Sequence, residues 1–243
     1  MQPKKMNTSF LYVAVLTILL SLGLALFLRS SAFTVQHVIV QGLKLSPESE
    51  ILNLASGVQG QNLFLFDQEA LKQKITLHPL VQNVQFKRKP PQTLVIMVTE
   101  RTPVALVVVP KGVLEVDAQG TFLRRLESWP KNDHPVLTGI NLKDTVGPGQ
   151  NLTNSFLTAA LNLLGQAPPE LLSQIGELHV DALQQMTMYL RSGVEVRLGL
   201  GQTNDWKPKL NALFQLVSSN EYKSFQQGVR YIDFTAAKPV IGR

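Results

Sequence analysis

The longest apolar run in the chain, Phe10 to Leu28, holds nineteen residues without one charge. At about 1.5 Å of rise per residue, a helix of that length matches the roughly 30 Å of hydrocarbon in a bilayer, so the pattern predicts a membrane-spanning helix over residues 10–28. Lys4, Lys5 and the amino terminus precede it and Arg29 follows. The excess of positive charge on the N-terminal side predicts a cytoplasmic tail over residues 1–9 and an exported remainder. A cleavable signal peptide is a competing reading, with Ser30-Ser31-Ala32 as its small-residue site. Its apolar region is usually about 7 to 15 residues, shorter than this one. A buried core helix is the third reading, and it would be unusually long to carry no polar punctuation. Gly23 has no partner glycine four residues away, so it forms no helix-pairing motif.

Beyond the run the period changes. Phe33 to Gln41 alternates as a strand with Phe33, Val35, His37 and Ile39 on one face, and Gly42 ends it. Ser46-Pro47-Glu48 reads as a helix start, because serine accepts an amide bond, proline at the first helical position loses none, and glutamate suits the dipole. Ile51, Leu52 and Ala55 form its buried side and Gly57 its stop. A second start at Asp67-Gln68-Glu69 is followed by Ala70, Leu71, Ile75 and Leu77 at helical spacing, until His78-Pro79. Val84 and Phe86 alternate with polar neighbours, and the run Lys87-Arg88-Lys89-Pro90-Pro91 is expected to stop the pairing. Leu94, Ile96 and Val98 then oppose Val95 and Met97, the pattern of a central strand covered on both sides. Glu100-Arg101-Thr102-Pro103 closes it. The order strand, helix, helix, strand, strand describes a small α+β unit over residues 33–101, near the lower size limit for folding alone.

From residue 102 to 243 the runs are shorter. Val104–Val109, Gly112–Asp117 and Thr121–Leu123 are strands separated by Lys111-Gly112 and Gln119-Gly120, and strands so close in sequence pair antiparallel. Phe156 to Leu164 is a helix with a broad apolar side that ends at Gly165, before Pro168-Pro169. Met186–Leu190 and Val194–Leu198 form a hairpin about Arg191-Ser192-Gly193, and its Val194, Val196 and Leu198 alternate with Glu195 and Arg197. Trp206, Leu210, Leu213, Phe214 and Val217 mark a last helix introduced by Asp205. Val229 to Ile241 begins as a strand and is interrupted by Pro239. Proline confines a strand to an edge or an end, so this C-terminal strand is expected at the edge of its sheet. The fold class is therefore α+β, with one N-terminal transmembrane helix, a β-α-α-β-β domain, and a mainly antiparallel β domain with flanking helices.

Several of these segments resemble the FtsQ/DivIB family of bacterial division proteins. The basic Pro-Pro turn, the strand Thr93-Leu94-x-Ile96-x-Val98 and the closing Glu100-Arg101-x-Pro103-Val104-Ala105 look like the end of the family's POTRA domain. Leu77-His78-Pro79-Leu80-Val81 resembles its junction between second helix and second strand. Val116-Asp117-x-x-Gly120-x-Phe122 resembles the element that opens the family's second domain, and Pro135-Val136-Leu137-Thr138-Gly139 resembles its Leu-Pro-x-Leu-x-Gly element. The segment from Val229 is similar to the family's Ile-Asp-Leu-Arg-Tyr strand, after a Leu-Gly and Lys-Leu pattern matched by Leu198-Gly199 and Lys209-Leu210. Two departures from it matter: Thr235-Ala236 stands where the family often has Arg-Tyr, and Pro239 replaces a freer backbone.

The resemblance implies a non-enzymatic, bitopic scaffold of the divisome, in the inner (cytoplasmic) membrane at the division septum with its domains outside the cytoplasm. It implies FtsB- and FtsL-type membrane partners, a link to septal wall synthesis, and no cofactor. POTRA domains present sheet edges, and an uncovered edge offers unpaired amides and carbonyls, so recognition is expected by strand addition at the C-terminal edge. The expected contact residues are Tyr231, Phe234, Thr235, Ala236, Ala237 and Lys238. The aromatic anchor absent at Ala236 is either lost or supplied by Tyr231 or Phe234. Two alternatives share the architecture: a membrane-anchored POTRA protein in polypeptide export or outer-membrane assembly, and an anchored extracytoplasmic enzyme with an unrecognised site. The lack of a C-terminal barrel-like run of strands counts against the first.

Composition removes most chemistry from consideration. The chain has no cysteine, which excludes disulfides, thiol nucleophiles and thiolate metal sites. Apolar residues at 44% and charged residues at 16% argue for a folded protein. A net charge of +6 is scattered apart from Lys87–Lys89 and Arg124-Arg125, which disfavours nucleic acid as a partner. Gly199-Leu200-Gly201-Gln202-Thr203-Asn204 lacks the third glycine of a dinucleotide-binding turn. His37, His78, His134 and His179 form no pair at metal-ligand spacing. Glu48 with Glu50 and Asp67 with Glu69 sit at helix starts, where the dipole accounts for them. No catalytic, cofactor-binding or metal-binding residue is assigned.

Overall fold

The computed structural model describes residues 8–110, 112–129, 134–142, 146–200, 205–236 and 238–243. Contacts divide the chain into two compact units, one ending at Glu100 and the other running from Arg101 to Arg243.

The first unit begins with helix α1 (Thr8–Leu28). Its window Leu11–Leu28 has a mean hydropathy of 2.6 and no buried part, so the helix is long and apolar enough to cross a membrane. Thr17 and Ser21 return their hydroxyls to the carbonyls of Val13 and Thr17, at 2.8 and 2.7 Å, so these two hydroxyls are satisfied within the helix. There follow β1 (His37–Gln41), α2 (Glu48–Ala55), α3 (Gln68–Thr76), β2 (Val81–Lys89) and β3 (Thr93–Glu100). The sheet order is β1-β3-β2, with β3 central, parallel to β1 and antiparallel to β2. Leu94, Ile96 and Val98 meet Ile51 and Ala55 of α2 and Leu71 and Ile75 of α3 in one core.

Local departures from the pattern have local causes. Phe33 lies in a short 3-10 turn, and the strand starts only at His37. Within it Val38 and Val40 pack on the core while His37 and Ile39 face outward, the reverse of the expected parity. The amides of Gln36 and His37 both donate to the carbonyl of Gln92, at 2.9 and 3.2 Å, and this doubled rung shifts the alternation by one residue. Ser46 does not cap α2. Pro47 holds the cap position, and the Ser46 amide is committed to Glu100. Gly57 falls in a 3-10 turn that continues the helix rather than stopping it. Asp67 caps α3 as expected, accepting the Ala70 amide at 2.9 Å, although Ala70 and Leu77 are exposed. The basic run stays in the ladder through Lys87↔Val95, Arg88↔Leu94 and Lys89↔Thr93. Pairing ends only at Pro90, where the amide donor is lost.

Among the described residues, the strands of the second unit form one nine-stranded sheet. Its strands are β4 (Pro103–Val109), β5 (Gly112–Asp117), β6 (Phe122–Leu126), β7 (Val136–Thr138), β8 (Ile175–Val180), β9 (Gln185–Leu190), β10 (Glu195–Leu200), β11 (Tyr231–Asp233) and β12 (Val240–Gly242). They lie in the order β12-β11-β10-β9-β8-β7-β4-β5-β6. Five junctions are antiparallel; β4–β7, β7–β8 and β10–β11 are parallel. Parallel neighbours need a long crossover. Helices α4 (Ser155–Gln166) and α5 (Pro169–Leu172) supply the one from β7 to β8, and α6 (Lys207–Ser218) and α7 (Asn220–Phe225) supply the one from β10 to β11. Leu157, Leu161 and Leu164 of α4 and Leu210, Leu213 and Val217 of α6 pack on the inward row that includes Leu137, Leu178, Met188, Val196 and Ile232. Helix α4 runs through Gly165 to Gln166, since that glycine keeps helical geometry.

Candidate partner-binding edge

At the C-terminal end of the large sheet, three rows of residues cross three strands. Val196 pairs with Ile232 and Ile232 with Ile241, with Val196 and Ile232 fully buried. On the other face, Glu195, Tyr231 and Gly242 form one row, and Arg197, Asp233 and Val240 the next. The Arg197 guanidinium lies 4.5 Å from the centre of the Tyr231 ring, and its Nε donates to Glu195 at 2.7 Å. That bond, with the neighbouring carboxylates, raises the Arg197 pKa. A side chain at position 242 would collide with the Tyr231 ring, so Gly242 is what lets the ring lie across β12.

Asp233 ends the strand. Its Oδ1 accepts both the hydroxyl and the amide of Thr235, at 2.6 and 2.7 Å, bending the backbone out of the ladder. Those bonds, aided by Arg197 and Lys209, hold the Asp233 carboxyl below its ordinary range. The Phe234 amide makes a last bond to the Arg197 carbonyl at 2.8 Å, while its ring is buried in the core.

The residues expected to meet a partner therefore separate. Tyr231 is half-buried under Arg197, and Phe234 is buried. Thr235, Ala236 and Lys238 are exposed in a bend, and Ala237 lies outside the described residues. The expectation that one C-terminal strand forms the edge is corrected. The segment makes two strands; β11 is enclosed by β10 and β12, and the edge is Val240–Gly242. The Asp233–Thr235 turn and Pro239 divide them. Pro239 followed by Val240-Ile241 was the signal in the sequence for this second strand.

Nothing among the described residues pairs with the outer side of β12. Val240 is 49% exposed, and the strand carries no charge. The opposite edge, β6, carries Arg124 and Arg125, and inward of it Arg124 grips the buried Glu115 carboxylate at 2.6 and 3.3 Å. Charged side chains on an edge resist strand addition, and an uncharged edge lacks that barrier.

Other motifs are explained by structure alone. Asp117 Oδ1 accepts the amides of Gln119 and Thr121 at 3.0 and 2.7 Å, Gly120 adopts φ +76°, and Arg101 donates to Asp117 Oδ2 at 2.7 Å. The Asp-x-x-Gly turn and the Glu-Arg element thus serve each other. Gly139, at φ +76°, sits where a Cβ would strike the Val180 carbonyl. Thr138 donates to Glu177 at 2.6 Å and meets His179 Nδ1 at 2.8 Å. No group of three or more metal-ligating side chains gathers among the described residues. Strand β10 takes in Gly199-Leu200, and residues 201–204 of the glycine motif lie outside the described residues.

Two family models match the chain: the FtsQ-type POTRA domain over residues 33–101, and the C-terminal domain of cell division protein FtsQ/DivIB over residues 105–234. The FtsQ of Anaeromyxobacter sp. (strain K) is 30% identical over 228 residues, covering 93% of this chain and 76% of its own. That of Syntrophotalea carbinolica is 29% identical over 216 residues, covering 87% and 74%. The solved extracytoplasmic domain of the trans isomer of DivIB from Geobacillus stearothermophilus aligns at 20% identity with a TM-score of 0.35, over 48% of this chain and 93% of that one, too loosely to carry an argument. With a family model over each domain and a relative matched over 93% of this chain, the chain belongs to the FtsQ/DivIB family of cell-division proteins.

Proposed function

We propose that this chain is a non-enzymatic, single-pass scaffold of the divisome that holds FtsB- and FtsL-type membrane partners by strand addition at its C-terminal edge, linking septum assembly to cell-wall synthesis. Its parts are a cytoplasmic tail (residues 1–9), the spanning helix (10–28), the POTRA domain (33–101) and the β domain (102–243), with both domains outside the inner membrane at the septum. The observation that carries this reading is the open, uncharged margin of β12. Main-chain bonds to Val240–Gly242 supply affinity, and side chains beside the added strand supply selectivity. The exposed bend at Thr235, Ala236 and Lys238 flanks the incoming segment. Tyr231 supports β12 from its outer face, and Phe234 anchors the bend from the core.

The test is Val240→Glu in the full-length chain. Glutamate at this exposed position leaves the core intact but places charge on the margin. Capture of an FtsB-type partner from solubilised membranes should fall by about tenfold, a loss of about 1.4 kcal/mol, with the thermal midpoint unchanged. Undiminished capture sinks the strand-addition site. A fluorescent fusion of the unaltered chain should band at midcell; a uniform envelope signal would favour the alternative, a POTRA protein of polypeptide export or outer-membrane assembly.

A further inference from the structure

We propose that the POTRA loop Asn62–Phe66 lies in the headgroup layer where α1 leaves the bilayer, forming a second contact with anionic lipid; this rests on α1 spanning the membrane. The Asn62 side-chain amide donates to the carbonyls of Leu28 and Ser30, at 2.9 and 3.4 Å, the first of these being the last residue of the helix. The same Asn62 accepts the Phe64 amide through its Oδ1 at 2.9 Å, so one side chain sets the loop's shape and ties it to the helix end. Aromatic packing repeats the tie. Phe27 meets Phe33 edge-on at 5.1 Å between centroids, and Phe33 meets Phe64 at 5.2 Å.

This attachment fixes the loop's depth. Leu28 marks the end of the apolar run, and the interfacial layer extends about 5–7 Å beyond the hydrocarbon. A loop bonded to Leu28 falls within it. Phe27 and Leu65, 58% and 57% exposed, present apolar surface at that depth, where acyl chains and glycerol replace water.

Charge gives the lipid its class. Arg88 Nε donates to the Leu63 carbonyl at 2.8 Å and its guanidinium lies 5.3 Å from the Phe66 ring centre, which places a cation against the loop. Lys87 and Lys89 flank it in β2, and Arg29 follows α1; all three are exposed. Asp67 and Glu69 are the acidic residues that follow the loop in sequence, and Asp67 is occupied with the Ala70 amide. Cations outnumber carboxylates, which suits phosphate-bearing anionic headgroups.

The chain has no cysteine, so single cysteines can be introduced and labelled with an environment-sensitive fluorophore in the full-length protein. It is reconstituted in vesicles of phosphatidylglycerol and phosphatidylethanolamine containing a nitroxide lipid. Leu45→Cys is the control, because its loop is held at Glu100, about 20 Å along β3 from Leu94, the partner of Arg88. A shallow nitroxide should quench Leu65→Cys at least about threefold more than Leu45→Cys. Exchanging phosphatidylglycerol for phosphatidylcholine should reduce that quenching. A deep nitroxide should quench Leu22→Cys, which reports spanning separately. Deep quenching at Leu22 with equal quenching at Leu65 and Leu45 overturns the loop contact alone. An unquenched Leu22 overturns the spanning reading and the loop contact with it. Indifference to the lipid exchange overturns the anionic specificity.

Discussion

Glu100→Gln probes the bond set that closes the POTRA sheet. The Glu100 carboxylate accepts the amides of Lys44, Leu45 and Ser46 at 2.7, 2.8 and 2.8 Å, drawing the β1–α2 loop onto the end of β3. Glutamine keeps one acceptor oxygen, loses the charge, and turns an NH2 group toward amides that need an acceptor. A hydrogen bond to a charged group contributes about 1.5–3 kcal/mol, and three sharing one charge do not add, so the expected loss is about 2–3 kcal/mol. That is a large part of what so small a domain has. Burial opposes ionisation at Glu100, but the bonds from residues 44–46 outweigh it and hold the carboxyl below its ordinary range. A folded-state pKa below the unfolded one, about 4.3, means that this stability is complete above that pH and is lost as pH falls through the folded value. Hydrogen exchange at the amides of residues 44–46 reads the effect directly. The unaltered chain should lose protection on acidification, whereas Glu100→Gln should be weakly protected at neutral pH and insensitive to acid. Unaltered protection at neutral pH in the variant, or the same acid dependence, would refute the reasoning.

Gly139→Ala should cost about 2–4 kcal/mol in urea unfolding, because φ +76° and the nearby Val180 carbonyl both exclude a Cβ; a change below about 0.5 kcal/mol would contradict this. Asn154→Ala removes the acceptor of the Phe156 and Leu157 amides, at 2.9 and 3.1 Å, and should lower stability by about 1 kcal/mol, read as a shift in denaturation midpoint at constant slope. Arg101→Met strips the partner of Asp117, whose side chain is only 3% exposed, and should cost about 3 kcal/mol. In a double-mutant cycle with Asp117→Asn, that cost should fall by more than half.

Much of the fold is written locally. Nineteen uncharged residues predict α1 by length alone, and Asp67 predicts the start of α3 because its acceptor is three residues from the amide it satisfies. The hairpin of β9 and β10 follows from alternation on either side of a tight connection, and Val194, Val196 and Leu198 are buried as that alternation requires. Strand β8 was not legible. Its register shifts between Ile175 and Glu177, which breaks the period, and its neighbours β7 and β9 set the burial of Leu178 and Val180. Helix α7 is too short for a periodic signal.

The candidate site was half legible. A proline in the C-terminal strand pointed to an edge, but which strand stands outermost depends on pairing with residues distant in the chain. Tyr231 pairs with Glu195 on one side and Gly242 on the other, and no window around Tyr231 contains the first. What the sequence by itself determined is the greasy helix, the order of elements in the first unit and the absence of thiol chemistry, since length, period and composition are properties of neighbouring residues. Only the tertiary structure decided the parity of β1, the enclosure of β11 and the open margin of β12. Those follow from which backbone groups find partners across the sheet, and hydrogen-bond satisfaction is settled between segments, not within them.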